Sequence, residues 1–162
     1  MVTSKIRLIK VRIISQREDI MKSFIASDYG RIIVIHLEKG EKVLESIENK
    51  ISQLYIKNAV VLSAIGSLRK LSYHIITSTE AASSDEYLTI EKPLELSSIQ
   101  GLILDGKPHF HVVCSSPDSV YTGHLEYESE VQYLVEISIM EVKDMELTRK
   151  LDENGISYID KK

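Results

Sequence analysis

The chain of 162 residues contains one cysteine, Cys114, and therefore cannot form an internal disulfide. A single thiol is typical of a protein in a reducing compartment, and we expect a cytoplasmic location. No apolar run approaches the roughly 18 residues that a membrane-spanning helix requires, so we expect no membrane span. The N-terminus also lacks the apolar block and the small-residue cleavage site of a secretory signal.

Excess positive charge is missing as well. The formal net charge is −4, whereas a dedicated DNA-binding protein usually carries a basic surface that neutralises phosphates. The charge therefore disfavours DNA as a partner, although a local basic patch on an assembled oligomer would escape this average. Hydrophobic residues make up 43% and charged residues 27% of the chain, which is typical of one soluble globular domain with its own core.

The first 20 residues differ from the rest of the chain. They show neither clean strand nor clean helix periodicity, and basic residues alternate there with isoleucines. Two interpretations are open: a basic, disordered arm, or upstream sequence translated from too early a start. We favour the second, with Met21 as the natural beginning, because the globular pattern starts directly after it. The basic residues are Lys5, Arg7, Lys10, Arg12 and Arg17.

Residues 21–162 predict an α+β domain, in which a mostly antiparallel sheet of about seven strands packs with one main helix. The helix falls within residues 41–58, where apolar side chains recur at helical spacing. Residues 59–68 and 70–79 read as two separate strands, and the stretch from Tyr87 to Gly106 as two more.

Three punctuating residues refine this prediction. We expect the chain to break at Pro93 or to bend near Gly101, since proline cannot donate to a sheet ladder and glycine often marks a bend. Residues 145–155 predict a last helical turn that Gly155 ends.

Three of the five histidines lie in residues 106–127, which read GKPHFHVVCSSPDSVYTGHLEY. The pattern predicts a hairpin with a loop at 116–119, because this register sets apolar residues opposite each other. Phe110 then faces Leu125, and Cys114 faces Tyr121. A register shifted by one residue would mix apolar and polar side chains on both faces.

The same register gathers the three histidines on one face, with His111 opposite His124 and His109 opposite Glu126. Opposed residues have Cβ atoms about 4.5–5.5 Å apart, so three imidazoles can converge on one ion. We therefore predict that His109, His111 and His124 bind zinc or another divalent transition metal. Glu126 is a candidate partner that orients His109, or a candidate catalytic base. Asp105 is a looser candidate at a strand end, as is Asp118.

A plainer interpretation stays open, since histidines on a half-exposed strand face often bond only water or a neighbour. His36 and His74 lie in other strands, where a partnered sheet histidine is the expected reading. Cys114 lies on the apolar face and is expected to be a small core residue rather than a nucleophile.

Several segments, in order, are similar to the plants-and-prokaryotes-conserved (PPC, also called PCC) domain. They are LEKGEKVLESIE, AVVLSAIGSL, PLELSSIQGLI, GKPHFHVVCSSPDSVYTGHL and RKLDENGISYI. The resemblance covers about residues 21–162, and its most specific part is Gly-Lys-Pro-His-x-His followed by Gly-His-Leu. Where the family usually has Gly-Gly-His-Leu, this chain has Thr122 before Gly123.

The resemblance implies a compact α+β fold and assembly as a homotrimer. In land plants the domain follows an AT-hook that grips the minor groove and itself mediates association with other proteins. Bacterial and archaeal members stand alone and are called DNA-binding by analogy. Several resemble metal proteins through a histidine cluster that corresponds to His109, His111 and His124. No Arg-Gly-Arg-Pro hook occurs in this sequence.

Three functions follow as hypotheses. The first is a stand-alone trimeric module that binds a metal, with a small ligand or a protein partner. The second is a DNA-associated regulator. The third is a zinc-dependent hydrolase or lyase with Glu126 as base. We favour the first, which requires no enzymatic activity, because a three-histidine cluster can bind zinc without catalysing any reaction.

Overall fold

The computed structural model describes residues 21–162, so the predicted N-terminal extension of residues 1–20 lies outside the described part. The elements are β1 (Tyr29–Glu38), α1 (Val43–Gln53), β2 (Ala59–Ile76), β3 (Asp85–Leu104), β4 (Lys107–Ser116), β5 (Ser119–Leu125), β6 (Glu130–Val142), β7 (Leu147–Leu151) and β8 (Ser157–Lys161). Six antiparallel strands form one sheet in the order β1-β6-β2-β3-β4-β5, and β7 and β8 form a separate hairpin. With one α-helix beside them, they confirm the predicted α+β class.

The helix α1 buries the apolar face that its spacing predicts, and it ends five residues before the predicted limit. The peptide N–H of Ile56 donates to the carbonyl of Ile51, and that of Tyr55 donates to Ser52. Tyr55 adopts a left-handed φ of 57°, which completes a Schellman motif and stops the helix. In the described part of the chain, no helix is long and apolar enough to cross a membrane. The buried residues of α1 are Val43, Leu44, Ile47 and Ile51.

Strands β2 and β3 are each continuous, so the prediction of four shorter strands is wrong. The register of β2 against β3 shifts where Leu68 pairs with Leu94 and Lys70 pairs with Glu91. Pro93 falls in this irregularity, where it does not have to donate a ladder hydrogen bond. The strand therefore passes through the proline instead of breaking there.

The predicted last helical turn is also wrong, because residues 147–151 form β7 and pair antiparallel with β8. The Asp152 carboxylate accepts hydrogen bonds from the peptide N–H groups of Asn154 and Ile156, which folds the chain back on itself. Gly155, with φ of 80°, occupies the left-handed position of this turn. The glycine thus serves a hairpin rather than a helix end.

The core lies between α1 and the inner face of the curved sheet. The sheet curls because the end of β2 pairs with β5 as well as with β3, through Tyr73 opposite Leu125 and His74 opposite His124. Tyr73 and Leu125 are buried on the inner side of this junction. Their strand neighbours, the two histidines, consequently lie on the outer side.

Candidate metal centre

The β4–β5 hairpin has the register that the sequence predicts. Cys114 pairs with Tyr121 and His111 pairs with His124. The strands extend to a pair between Ser116 and Ser119, so the loop is shorter than expected, but the register is unchanged. On the inner face of β4, the alternate residues Phe110, Val112 and Cys114 are at most 1% exposed. Their burial leaves His109 and His111 on the outer face.

His124 lies at the centre of a row of directly opposed residues that runs across three strands. It pairs with His111 of β4 on one side and with His74 of β2 on the other. Both ends of the row reach β3, since His74 also pairs with Tyr87 and His111 with Gln100. Neighbours in such a row have Cβ atoms about 4.5–5.5 Å apart, which brings the three imidazoles within reach of one another.

The close approach of β5 to β2 depends on Gly123. A Cβ atom at this position would lie 2.5 Å from the carbonyl oxygen of His74 and 2.7 Å from the ring of Tyr73. Real Cβ atoms do not come so near to a backbone oxygen, so any larger residue would push the two strands apart. The glycine that precedes His124 therefore allows the pairing of His124 with His74.

The tightest contacts of the cluster join two imidazoles to one carboxylate. Glu126 Oε1 lies 2.6 Å from His74 Nδ1 and 3.1 Å from His124 Nδ1. The two rings stack with their centroids 4.5 Å apart. When each Nδ1–H donates to the carboxylate, the lone pair of each ring lies on Nε2, which is the usual arrangement of a metal-binding histidine.

His74, His124 and Glu126 also form a compact set of donor atoms. One ligand atom from each of the three side chains lies within 4.8 Å of the other two. All three side chains are half-buried, so water has limited access to them. Two imidazole nitrogens and a carboxylate oxygen are donors that zinc and similar divalent ions accept.

His109 and His111 lie beside this compact set rather than within it. The ring of His109 meets that of His124 edge-on at 4.7 Å between centroids, and the ring of His111 lies 5.5 Å from that of His124. The structure thus gathers all three predicted ligands on one surface. The ligand set of His109, His111 and His124 remains a prediction, and His74 is an additional member of the cluster. We call these four histidines and Glu126 the histidine cluster.

Burial keeps at least two of these histidines neutral. It is the main cause that lowers the pKa of His109 to about 4, with a further contribution from the positive charge of Arg149. Burial and the neighbouring His74 lower the pKa of His124, although Glu126 opposes the shift. Neutral imidazole is the form that binds a metal, so these surroundings favour binding at neutral pH.

The remaining candidates lie outside the cluster. His36 is half-exposed on β1, with Nδ1 3.6 Å from Glu136 Oε1, as expected for a partnered sheet histidine. Asp105 pairs with Lys162 and Asp118 pairs with Lys92, so both carboxylates serve surface ion pairs. Burial raises the pKa of the Cys114 thiol to about 12, which keeps it protonated.

Two expectations about individual residues need correction. The Glu126 carboxylate binds His74 and His124 rather than orienting His109. His74 has a carboxylate partner, as a sheet histidine was expected to have, but that partner places it inside the candidate site. The sequence signal for His74 was weak because β2 and β5 are about 50 residues apart, and only the fold shows that they pair.

Comparisons with known proteins agree with this fold. The sequence model of the Plants and Prokaryotes Conserved (PCC) domain matches residues 25–143. A search of curated proteins gave no match. A plant- and prokaryote-conserved (PPC) protein from Pyrococcus horikoshii is 27% identical, with a TM-score of 0.70 over 87% of this chain and 98% of that chain.

Two other solved structures have the same fold. A protein from Archaeoglobus fulgidus, described as metal-containing, is 27% identical, with a TM-score of 0.69 over 83% of this chain and 95% of that one. A protein from Bacteroides thetaiotaomicron, described as a candidate DNA-binding protein, is 16% identical, with a TM-score of 0.67 over 82% of this chain and 96% of that one. At 16% identity the similarity concerns the fold alone.

Proposed function

This chain belongs to the PCC domain family, and we propose that it acts as a stand-alone module that binds a divalent transition metal. The observation that carries the proposal is the compact donor set of His74, His124 and Glu126. The description of the similar archaeal protein as metal-containing supports it. A cytoplasmic location suits the single buried thiol.

We propose zinc as the metal, held by a site centred on His124. Zinc binds nitrogen and oxygen donors at about 2.0–2.2 Å, and its filled d shell imposes no geometric preference of its own. Two ligand sets share His124. The first set adds His74 and Glu126, and Glu126 either binds the metal or orients the rings of His74 and His124. The second set adds His109 and His111. Bound zinc would supply a positive centre that attracts an anionic or polar ligand group.

Elemental analysis of protein purified without a nickel column tests this proposal. We expect about one zinc ion per chain in the wild type and in His36→Ala, whose imidazole lies on β1 outside the cluster. His124→Ala should lose the metal, since both ligand sets depend on it. Equal zinc in wild type and His124→Ala, or no metal in any of the three proteins after incubation with zinc, would contradict the proposal.

Two further variants separate the ligand sets. Loss of zinc in His74→Ala with retention in His111→Ala supports the set built around Glu126. The reverse result supports the set of His109, His111 and His124. The measurement needs only the metal-to-protein ratio after dialysis, with a folded circular dichroism spectrum for each variant as control.

We further propose that the module assembles as a homotrimer. The outer face of β1, β2 and β6 exposes Ile32, Val34 and Ile65, each more than half accessible. These residues lie on the side of the sheet opposite the core, and an apolar sheet face of this kind usually packs against another surface. Assembly in trimers is what the family resemblance implies, so further copies of this chain are the proposed cover.

Light scattering at micromolar concentration tests the assembly. We expect the mass of three chains for the wild type and a smaller mass for Val34→Asp, which places a charge on the apolar face. Glu38→Gln, at the exposed end of the same strand, should leave the mass unchanged. A monomeric wild type would refute the trimer.

The other two hypotheses receive less support. DNA binding rests on relatives whose identity is too low to transfer a function, and the net charge is −4. If the protein does not bind duplex DNA even at low salt, the DNA-binding hypothesis is excluded.

For a hydrolase or lyase, Glu126 would have to accept a proton, whereas its Oε1 already accepts two imidazole hydrogen bonds. This geometry favours orientation of the ligands over proton abstraction.

A further inference from the structure

The β7–β8 hairpin contacts the turn between β3 and β4. This turn precedes His109 by only a few residues. Lys162 Nζ of the hairpin lies 2.7 Å from Asp105 Oδ1 in that turn. The side-chain amide of Asn58 donates to the carbonyl of Met145, two residues before β7. Leu147, the first residue of β7, is only 6% exposed. One face of β7 is therefore held against the main domain.

Arg149 lies on this inward face, two residues after Leu147. Its Nε atom is buried and has no hydrogen-bond partner. Among residues 21–162, the ion pairs of the structure include no carboxylate partner for its guanidinium. Because its guanidinium is partly buried, the pKa of Arg149 is lowered. A partly buried cation without a counter-ion is costly, so an anionic partner would stabilise it.

The histidine cluster lies near the strand that carries Arg149. Strand β7 contacts β3, and Leu102 of β3 pairs directly with His109. In agreement with this placement, the positive charge of Arg149 adds to the larger effect of burial in lowering the pKa of His109. The ring of His109 in turn meets that of His124 at 4.7 Å between centroids. Arg149 thus places a positive charge near the His109 side of the histidine cluster.

We propose that Arg149 and the histidine cluster form a subsite for a small oxyanion, a carboxylate or a phosphoryl group. A guanidinium is a planar fork of donors that matches two oxygens of such a group, and Nε–H is one arm of that fork. Imidazole N–H groups of His109 and His111 can donate to the same anion. A bound metal would add a second positive centre. That contribution rests on the proposed function, whereas the contribution of Arg149 does not.

The buried Nε–H of Arg149 provides a direct test in metal-free protein. Its signal in a ¹H–¹⁵N spectrum is identified as the one that disappears in Arg149→Gln. Titration with malonate, and separately with inorganic phosphate, should shift this signal in a saturable way. A preference for malonate indicates a carboxylate ligand, and a preference for phosphate indicates a phosphoryl ligand. No shift with either anion would overturn the proposal.

The contribution of the metal is measured on cobalt(II)-loaded protein, whose visible absorption responds to an added ligand. We expect malonate or phosphate to change the spectrum, with affinity at least about tenfold weaker in Arg149→Gln than in the wild type. Lys150→Gln is the matched control, because Lys150 lies next in the strand and pairs with Asp160 on the exposed side. It should bind the anion as the wild type does.

The outcomes separate the two proposals. Cobalt bound by Arg149→Gln, with anion affinity equal to that of the wild type, would overturn the arginine subsite and leave the metal centre intact. If neither the wild type nor either variant binds cobalt, the proposed function is contradicted. The titration of the Arg149 Nε–H signal would still decide whether the arginine subsite exists. A normal cobalt spectrum in Arg149→Gln also shows that the variant is folded around the cluster.

Discussion

The two faces of strand β4 carry alternate residues of one short segment, yet they have opposite physical roles. The inner residues Phe110, Val112 and Cys114 are almost completely buried and belong to the hydrophobic core. The outer residues His109 and His111 contribute little to the core and lie beside His124. The comparison shows that hydrophobic burial fixes the register of the hairpin, and that the register in turn assembles the candidate site.

Removal of the largest inner side chain should cost the most stability. Phe110→Ala deletes a fully buried ring, and we expect the free energy of unfolding to fall by about 3–5 kcal/mol. His111→Ala, on the outer face of the same strand, should change it by less than about 0.5 kcal/mol. Urea denaturation of metal-free protein measures both, because bound metal would itself stabilise the folded state. Similar losses in the two variants would contradict the division of roles.

Gly123 links the two faces, since it lets β5 approach β2. Gly123→Ala should destabilise the protein by about 1–3 kcal/mol, because the added Cβ collides with the backbone of His74. It should also weaken metal binding by moving His124 away from its partner. Thr122→Ala, one residue earlier, changes an exposed side chain and should leave both properties unchanged. An unaltered metal affinity in Gly123→Ala would show that the His74–His124 pairing is not needed.

Glu126 tests whether the outer face is organised around its carboxylate. Glu126→Gln keeps the shape but removes the charge, and we expect metal affinity to fall about 10- to 100-fold. Glu136→Gln is the matched control, because Glu136 faces His36 on the edge of the sheet instead. Competition with a chromophoric chelator gives both affinities. Equal affinities in the two variants would argue for the ligand set of His109, His111 and His124 alone.

The smallest effect concerns the thiol on the inner face. With a pKa of about 12, Cys114 should contain a thiolate fraction on the order of 10⁻⁴ at pH 8, and its burial also blocks access. Iodoacetamide should therefore leave the folded protein unmodified and alkylate it fully in denaturant, as followed by intact mass. Rapid alkylation of the folded protein would place Cys114 outside the core.

Local pattern was enough to predict the parts of the fold that depend on neighbouring residues. The helical spacing from Val43 to Ile51 predicted α1, and alternating burial predicted the pairing of His111 with His124. Each of these depends on a single segment in which one arrangement buries far more apolar surface than any other. The physical signal was therefore contained within about 20 residues.

Other features depend on contacts that no local pattern reveals. The pairing of His74 with His124 requires β2 to curl back onto β5. The small residue that permits it, Gly123, lies within a predicted strand, and nothing in the sequence indicates which strand approaches it. The β7–β8 hairpin was mistaken for a helical turn because Gly155 suits either structure. The inward position of Arg149 depends on the same hairpin, so a prediction of a helical turn could not place it.

The most direct test of the metal centre is anomalous scattering at the zinc edge from crystals of the zinc-loaded protein. We expect one peak per chain at about 2.0–2.2 Å from a nitrogen of His124, with at least one further ligand from His74, His109, His111 or Glu126. The identity of those ligands decides between the two sets. A peak remote from His124, or no peak in protein incubated with zinc, would contradict a zinc site centred on His124.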